Sequence, residues 1–225
     1  MAGFCMRLVL ALLAPLALAS CLYEPGKFES ALTLNADRSF TFSYKGEVIA
    51  VEPQSPAVSS DEDGKPAAPD PAEQASKEAE YRAVAEALRK EPGFASAEYK
   101  GNQVFAVDYR ITSKLTHGFV FPLNIDARMV IPFVAIELRG NDRVRVIAPS
   151  FANDRSQSGG QLGEAMPMTR ASRLDGSFTL TTDAEIVSQN NEEGVSGSGA
   201  AKTISWRVTP QRKEAPTAVL KLAPL

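Results

Sequence analysis

The feature that most constrains the fold is a period of two in the apolar residues, which recurs in short segments from residue 28 onwards. In FTFSYKGEV the aromatic side chains of Phe40, Phe42 and Tyr44 alternate with polar residues. Successive side chains of a β-strand point to opposite faces of the sheet, so this pattern predicts a strand with one buried face. The preceding segment FESALTLN has three apolar residues on one face, and NADRS at residues 35–39 is typical of a turn. Residues 28–48 are therefore predicted to form an antiparallel hairpin.

Similar segments continue to the C-terminal part of the chain. FASAEY and VFAVDYRI flank the turn sequence KGNQ, and MVIPFVAIELR meets RVRVIAPSF across residues 140–142. Pro132 suits an edge strand or a bulge better than a central strand. FTLTTDAEIV, TISWRV and AVLKL are predicted as later strands.

One segment has the period of a helix. Asp70 can cap the backbone N–H groups of a helix whose first position is Pro71, and a stripe at helical spacing follows, formed by Tyr81, Val84, Ala85 and Leu88. Pro92 and Gly93 end this pattern, so the helix is predicted to run from residue 70 to about residue 90. Together with the strand segments, the prediction is an α+β fold: an antiparallel-rich sheet with one principal amphipathic helix.

The first twenty residues have the layout of a secretory signal, with a positive charge at Arg7, apolar residues at 8–18 and small residues before Cys21. A membrane-spanning helix needs about 20 consecutive apolar residues, and this run is shorter and contains Pro15. A cleaved signal is therefore the preferred interpretation.

The signal ends in LASC, residues 18–21, which resembles the lipobox of bacterial lipoproteins. This resemblance implies cleavage between Ser20 and Cys21, attachment of diacylglycerol to the Cys21 thiol, and acylation of the new amino terminus. Several acyl chains, at about 0.8 kcal/mol per buried methylene, would tether the protein durably to a membrane. Residue 22 is Leu, where lipoproteins retained in the inner membrane tend to carry Asp, so the resemblance favours the periplasmic face of the outer membrane. The alternative is an incidental cysteine after an ordinary signal.

These features divide the chain into a signal at residues 1–20, an anchor and spacer at 21–27, and a single periplasmic domain at 28–225. Cys5 leaves with the signal and Cys21 becomes a thioether, so no free thiol and no disulfide are expected. Within the domain, residues 52–69 are rich in Pro, Ala and acidic residues and are predicted to form a flexible loop. The acidic residues 61–63 lack the ligand spacing of a calcium loop.

No motif points to catalysis. His117 is the only histidine, and the chain has no G-x-S-x-G or H-E-x-x-H sequence. The formal net charge is −3 and basic residues form no block, which argues against nucleic-acid binding. The expectation is a protein that is not an enzyme and has no cofactor and no metal.

A candidate binding segment lies between residues 115 and 133, LTHGFVFPLNIDARMVIPF. Its apolar residues are interrupted by Pro122 and Pro132, which resist regular pairing in a central strand and can leave apolar side chains at an opening. The candidate ligand-binding residues are Phe119, Phe121, Met129, Ile131 and Phe133. The alternative is an irregular part of the core, which the same composition also fits.

Residues 176–222 carry a second family resemblance. GSFTLTTDAEIVSQNN, TISWRV and AVLKL are similar to the LppM family of bacterial lipoproteins, in which a strand ending near an Asn precedes a Thr-x-x-Trp strand. Asn190 or Asn191, Thr203 and Trp206 occupy the matching positions. The resemblance implies an anchored envelope domain linked to lipid or glycolipid binding. For Trp206 itself, the preferred interpretation is a core residue.

The function predicted from these features is non-catalytic binding of a lipid or another apolar ligand by a membrane-anchored periplasmic lipoprotein. A scaffold that binds envelope proteins is the alternative, and an envelope hydrolase without a recognisable motif is the third possibility.

Overall fold

A computed structural model of the chain describes residues 22–51, 71–122, 132–153, 173–199 and 201–225. The signal, Ser20, Cys21 and the loop at 52–69 lie outside these residues. The described strands and helices in chain order are β1 (Leu22–Leu34), β2 (Ser39–Val51), α1 (Pro71–Leu88), β3 (Phe94–Gly101), β4 (Val104–Lys114), β5 (Phe119–Phe121), β6 (Val134–Arg139), β7 (Arg143–Ile147), a 3-10 turn at Pro149–Phe151, β8 (Asp175–Thr182), β9 (Glu185–Gln189), β10 (Lys202–Val208) and β11 (Thr217–Lys221).

Six strands form the first sheet, in the order β10-β8-β1-β2-β4-β3. Its neighbouring strands are antiparallel except for β1 and β8, which run parallel from Lys27↔Asp175 to Thr33↔Thr181. The long antiparallel pair β1–β2 extends from Leu22↔Val51 to Leu34↔Phe40 and shifts register between Pro25 and Phe28. Gly46 allows this shift, because a Cβ atom there would lie 2.3 Å from the Lys27 carbonyl oxygen.

The second sheet has the order β5-β6-β7-β11-β9, and all its described pairs are antiparallel. The predicted hairpin across residues 140–142 is confirmed as the β6–β7 pair. The hairpins predicted around residues 35–39 and around KGNQ are confirmed as well, as β1–β2 and β3–β4.

Aromatic side chains join the two sheets face to face. The alternating row of β2 is buried, and its Phe42 ring lies 4.9 Å from the ring of Phe121 on β5. Tyr44 lies 5.5 Å from Phe133, and the core continues through Phe151 to Phe178, 5.8 Å apart. Aromatic side chains bury large areas, and such tilted ring pairs add about 0.5–1.5 kcal/mol each beyond that burial.

The opposite face of the six-stranded sheet is polar and carries an unbroken row of threonines across five neighbouring strands. Strand registers place one threonine of each strand directly beside the next, in the order Thr203, Thr181, Thr33, Thr41 and Thr112. The hydroxyl groups of Thr41 and Thr112 lie 2.9 Å apart. Cross-strand threonine pairs stabilise a sheet and keep this face hydrated.

The predicted helix is confirmed as α1, and two of the four residues of its predicted apolar stripe are buried. Tyr81 and Ala85 are buried, and the Tyr81 ring packs 5.8 Å from Phe105 on β4. The Tyr99 hydroxyl on β3 donates a hydrogen bond to the Glu78 carboxylate at 2.6 Å. The helix thus covers the β3–β4 end of the first sheet. Within the described residues, no helix is long and apolar enough to cross a membrane.

A buried arginine joins the ends of the two sheets. Arg38, in the turn between β1 and β2, is 3 % exposed. Its Nε donates to the carbonyl oxygen of Ala223 at 2.6 Å, and its Nη2 donates to that of Asn141 at 2.7 Å. The β1–β2 turn, the β6–β7 turn and the segment after β11 are therefore held together by one side chain.

The predicted α+β class is wrong. The described residues form a mostly β structure of two sheets, in which one 18-residue helix packs at one end. The strand segments were recognisable, but their alternation shows only which residues share a face. It does not show that the strands divide between two sheets that cover each other. Residues 22–27 were assigned to the spacer. In the structure they are part of β1, which begins at Leu22.

Candidate functional site

An apolar cleft of about 310 Å³ opens between the two sheets at the end of α1. The described residues that line it come from the end of α1 and the following turn, the start of β3, β4, and the segment around β5. Its walls include the large aliphatic and aromatic side chains of Leu88, Phe94, Tyr109, Ile111, Phe119 and Phe121. We refer to this cavity as the apolar cleft.

Strand β5 brings two of the predicted binding residues into the apolar cleft. It is an edge strand of three residues, with Phe119 opposite Ile136 and Phe121 opposite Val134. Residues two positions apart share a face, so both phenylalanines point towards the first sheet and contact the Phe42 ring, at 5.4 and 4.9 Å. Val120 points the other way and is 38 % exposed.

The predicted residues differ in their burial. Phe119 is half-buried, whereas Phe121 is only 2 % exposed and Phe133 is fully buried. Phe133 packs on Tyr44 and Phe121 and does not line the cleft, so for this residue the core alternative describes its place. Met129 and Ile131 lie outside the described residues. Ligand binding by Phe119 and Phe121 stays a prediction.

Sequence reasoning did not single out Tyr109, which forms the inner wall of the cleft. Its ring lies 4.7 Å from Phe121 and 4.9 Å from Phe94. Burial raises the pKa of the Tyr109 phenol, and its hydroxyl makes no hydrogen bond with the part of the chain that the structure describes. Tyr109 therefore stays protonated at neutral pH and remains a free hydrogen-bond donor inside an apolar wall.

Gly93 makes room for Tyr109. It adopts a φ of +96°, and an added Cβ atom would lie 2.5 Å from Cε2 of the Tyr109 ring. Its carbonyl oxygen accepts a hydrogen bond from the Arg110 backbone N–H at 2.8 Å, which ties the end of the helical segment to β4. The Pro92–Gly93 pair that predicted the helix end thus also shapes the cleft. Only the packing of the turn against β4 reveals this second role.

Few of the described residues around the cleft are polar. Nδ1 of His117 lies 3.1 Å from the Thr116 hydroxyl, and Glu91 stands at the rim. Among the described residues, no group of three or more His, Cys, Asp or Glu side chains is placed to hold a metal ion. The cleft therefore offers apolar walls, one buried phenol and a polar rim, which is the composition of a binding site for an apolar group.

The residues that carry the LppM resemblance pack and form hydrogen bonds within the fold. Trp206 is fully buried and stacks on Phe178 at 5.5 Å. Asn190 accepts hydrogen bonds at its side-chain oxygen from the Trp206 indole N–H and the Thr217 backbone N–H. Thr203 belongs to the threonine row. None of these residues lines the apolar cleft.

Comparison with known proteins gives distant similarity to solved structures alone. No protein family matches the chain, and no curated protein is similar to it in sequence. Among solved structures, the chain is similar to the folded domain of LppM from Mycobacterium tuberculosis, determined by NMR. The two share 15 % sequence identity over 88 % of this chain and 91 % of that chain, with a TM-score of 0.35. LppM gives its name to the family that residues 176–222 are predicted to resemble.

Proposed function

We propose that this chain is a lipid-anchored lipoprotein of the bacterial envelope that binds one apolar chain in the apolar cleft without catalysing a reaction. The observation that carries the proposal is a cleft with aromatic and aliphatic walls drawn from both sheets, in which the Tyr109 hydroxyl makes no hydrogen bond to the described residues. Burial of a methylene group is worth about 0.8 kcal/mol, so walls of this kind favour an alkyl chain over a polar ligand.

The size of the cleft favours a single chain. Its volume of about 310 Å³ lies at the lower end of the range for small-molecule sites. One acyl chain with a small polar end fits this volume better than a lipid with several chains. The Tyr109 hydroxyl would donate to an oxygen of that polar end.

The LASC sequence supports an anchor at Cys21. Because β1 begins at Leu22, the strand registers give the distance along the sheet between the start of β1 and the cleft. Glu24 of β1 pairs with Ile49 of β2, which pairs with Val104 at the start of β4. Tyr109 lies five residues further along β4, a distance of about 17 Å at 3.3–3.4 Å per residue. An anchor attached just before Leu22 would therefore lie towards one end of these strands, and the cleft lies further along them.

The polar residues at the cleft support binding more than catalysis. The described contact of the His117 ring is with a neighbouring hydroxyl group, and a general base needs an orienting partner and a nucleophile within hydrogen-bond reach. Burial raises the pKa of the Tyr109 phenol, so the phenol stays protonated, and its ring packs on other aromatic rings.

The test uses the chain with Cys21→Ser, purified from a bacterial periplasm. Calorimetry measures laurate binding, and native mass spectrometry and organic extraction detect any lipid that is purified with the chain. We expect laurate to bind at one per chain and Phe119→Gln to weaken binding at least about tenfold, since 1.4 kcal/mol corresponds to a factor of ten. Val187→Gln is the matched control, because Val187 is an exposed valine on the edge strand β9 and should leave binding unchanged.

Tyr109→Phe keeps the ring and so separates binding from folding. It should weaken laurate and lauryl alcohol binding about three- to tenfold while leaving the melting temperature close to that of the parent, because one hydrogen bond to a ligand is worth about 0.5–1.5 kcal/mol. A chain that folds but binds neither compound and releases no lipid on extraction would contradict the proposal. Equal binding by the parent and Phe119→Gln would place the ligand elsewhere.

A further inference from the structure

A second cavity, of about 370 Å³, shares no lining residue with the apolar cleft. It lies between the turn that follows β9 and the turn that precedes β11, with Ser205 and Arg207 of β10 beside it. Charged side chains of both signs surround it. We refer to it as the polar cleft.

Arg212 is held in a fixed position at this cleft. Its backbone N–H donates to the Thr209 carbonyl oxygen at 3.0 Å, and its own carbonyl oxygen accepts from the Asn153 N–H at 2.7 Å. The side chain is oriented by a bond from Nε to the Glu214 carbonyl oxygen, also 3.0 Å. Burial lowers the pKa of the Arg212 guanidinium, which remains positively charged at any physiological pH.

The two terminal nitrogen atoms of Arg212 form no hydrogen bond or ion pair with the described residues. A guanidinium whose Nε is already engaged presents these two groups as a planar pair of donors. Carboxylates are bound by such pairs through two parallel hydrogen bonds. Arg212 thus has the geometry of a carboxylate receptor, with Lys213 next to it on the cleft wall.

Carboxylates of the cleft remain apart from these cations. The side-chain carboxylates of Glu192 and Glu214 act on Arg212 through space, favouring its charged form, and neither carboxylate forms an ion pair with it among the described contacts. Arg207, in contrast, is turned to Asp175 and forms an ion pair there. Opposite charges that face one cavity without neutralising each other are complementary to a ligand that carries both signs.

Asn191, which lines the polar cleft, has an acceptor atom without a partner among the described residues. The Asn191 amide is fixed by a bond from Nδ2 to the Ser205 carbonyl oxygen at 2.7 Å. Its Oδ1 is buried and has no hydrogen-bond partner within the described residues. Buried polar atoms are rarely left without a partner, and an N–H group of a ligand or a bridging water would satisfy this one.

We propose that the polar cleft binds a small zwitterion of the amino-acid or dipeptide class. The carboxylate of the ligand lies on the free amino groups of Arg212 with Lys213 beside it, and the ammonium group lies towards Glu192 and Glu214. The volume of the cleft is again at the small end of the range for ligand sites, which suits a dipeptide.

The test is an NMR titration of the chain carrying Cys21→Ser with alanyl-alanine and two blocked derivatives. N-acetylation removes the ammonium group, and amidation removes the carboxylate. We expect alanyl-alanine to shift resonances of residues 190–193 and 212–214, and each blocked derivative to bind at least about tenfold more weakly, as expected for the loss of a charged hydrogen-bonded group.

Variants assign the two charges. Arg212→Gln and Glu192→Gln should each weaken binding at least about fivefold, and Arg212→Lys should be intermediate because it keeps the charge but loses the paired donors. Arg143→Gln, an exposed arginine on β7, is the matched control and should leave binding unchanged. Melting temperatures show whether each variant is folded.

Either of two results would overturn the proposal: no shift at the polar cleft in the folded parent chain, or equal binding of alanyl-alanine and its N-acetylated form, which would indicate an anion site alone. Laurate binding to the apolar cleft involves none of these residues, so the two proposals fail independently.

Discussion

The indole nitrogen of Trp206 donates a hydrogen bond to the side-chain oxygen of Asn190, 3.2 Å away, and so joins β10 to the end of β9. The same oxygen accepts the Thr217 backbone N–H at 2.9 Å, while the Asn190 amide donates to the Ala215 carbonyl oxygen at 2.8 Å. One asparagine therefore links β10 of the first sheet to β9 and β11 of the second sheet.

Asn190→Ala should lower the free energy of unfolding by about 2 kcal/mol or more, because it leaves the Trp206 and Thr217 donors without their partner. Trp206 is the only tryptophan, so its fluorescence follows urea unfolding directly. Ser188→Ala, at an exposed position on β9, is the control and should change stability by less than about 0.5 kcal/mol. Similar values for the two variants would show that the Asn190 bonds contribute little.

Gly93→Ala should destabilise the protein more than Gly101→Ala. Both glycines have a positive φ, which costs a residue with a Cβ atom about 1–2 kcal/mol. At Gly101 the added methyl group meets nothing within 4 Å, whereas at Gly93 it overlaps the Tyr109 ring. The difference between the two variants in equilibrium urea unfolding measures the overlap alone, and equal losses of stability would contradict the close contact. Gly93→Ala should also weaken laurate binding, because it displaces Tyr109.

Stability at acid pH should depend on Glu137. Its carboxylate accepts two hydrogen bonds from Arg145 on the paired strand, at 2.9 and 3.1 Å. Arg145, and to a lesser extent Arg139, lowers the pKa of Glu137 against the opposing effect of burial. A lowered pKa in the folded state adds stability that is present above the unfolded value of about 4.3 and is lost as pH falls through the folded value.

In thermal unfolding at a series of pH values, Glu137→Gln should therefore be less stable than the parent at neutral pH by up to about 1 kcal/mol, as these side chains are partly exposed. The difference should shrink below about pH 4. Glu185→Gln, which removes an exposed carboxylate on β9, serves as the reference. A gap between parent and Glu137→Gln that is constant across this range would rule out the linkage.

Cys21→Ser should move the chain from the membrane fraction to the soluble periplasmic fraction, since it removes the site of diacylglycerol attachment that the lipobox resemblance implies. Cys5→Ser is a matched control, because Cys5 belongs to the predicted signal and its loss should leave the chain at the membrane. Fractionation followed by immunoblotting measures both. Retention of Cys21→Ser at the membrane would contradict the anchor.

Much of the local structure follows from the sequence. Alternation in FTFSYKGEV, the turn residues of NADRS and the helical stripe around Tyr81 each report on neighbours within a few positions, and the hairpins and α1 occur where these signals place them. Local signals suffice here because a hairpin or a single helix is held by contacts between residues close in sequence.

Only the tertiary structure decided which elements meet. The parallel pairing of β1 with β8 joins residues about 150 positions apart, and it alone aligns Thr33 with Thr181 in the threonine row. The meeting of Phe119 with Phe42, and of Gly93 with Tyr109, depends on how two sheets and a turn pack together. Alternation determines which side chains share a buried face. Many different strands or helices could cover that face and bury a similar apolar area. The choice among them depends on shape and register over the whole core, which no short stretch of sequence contains.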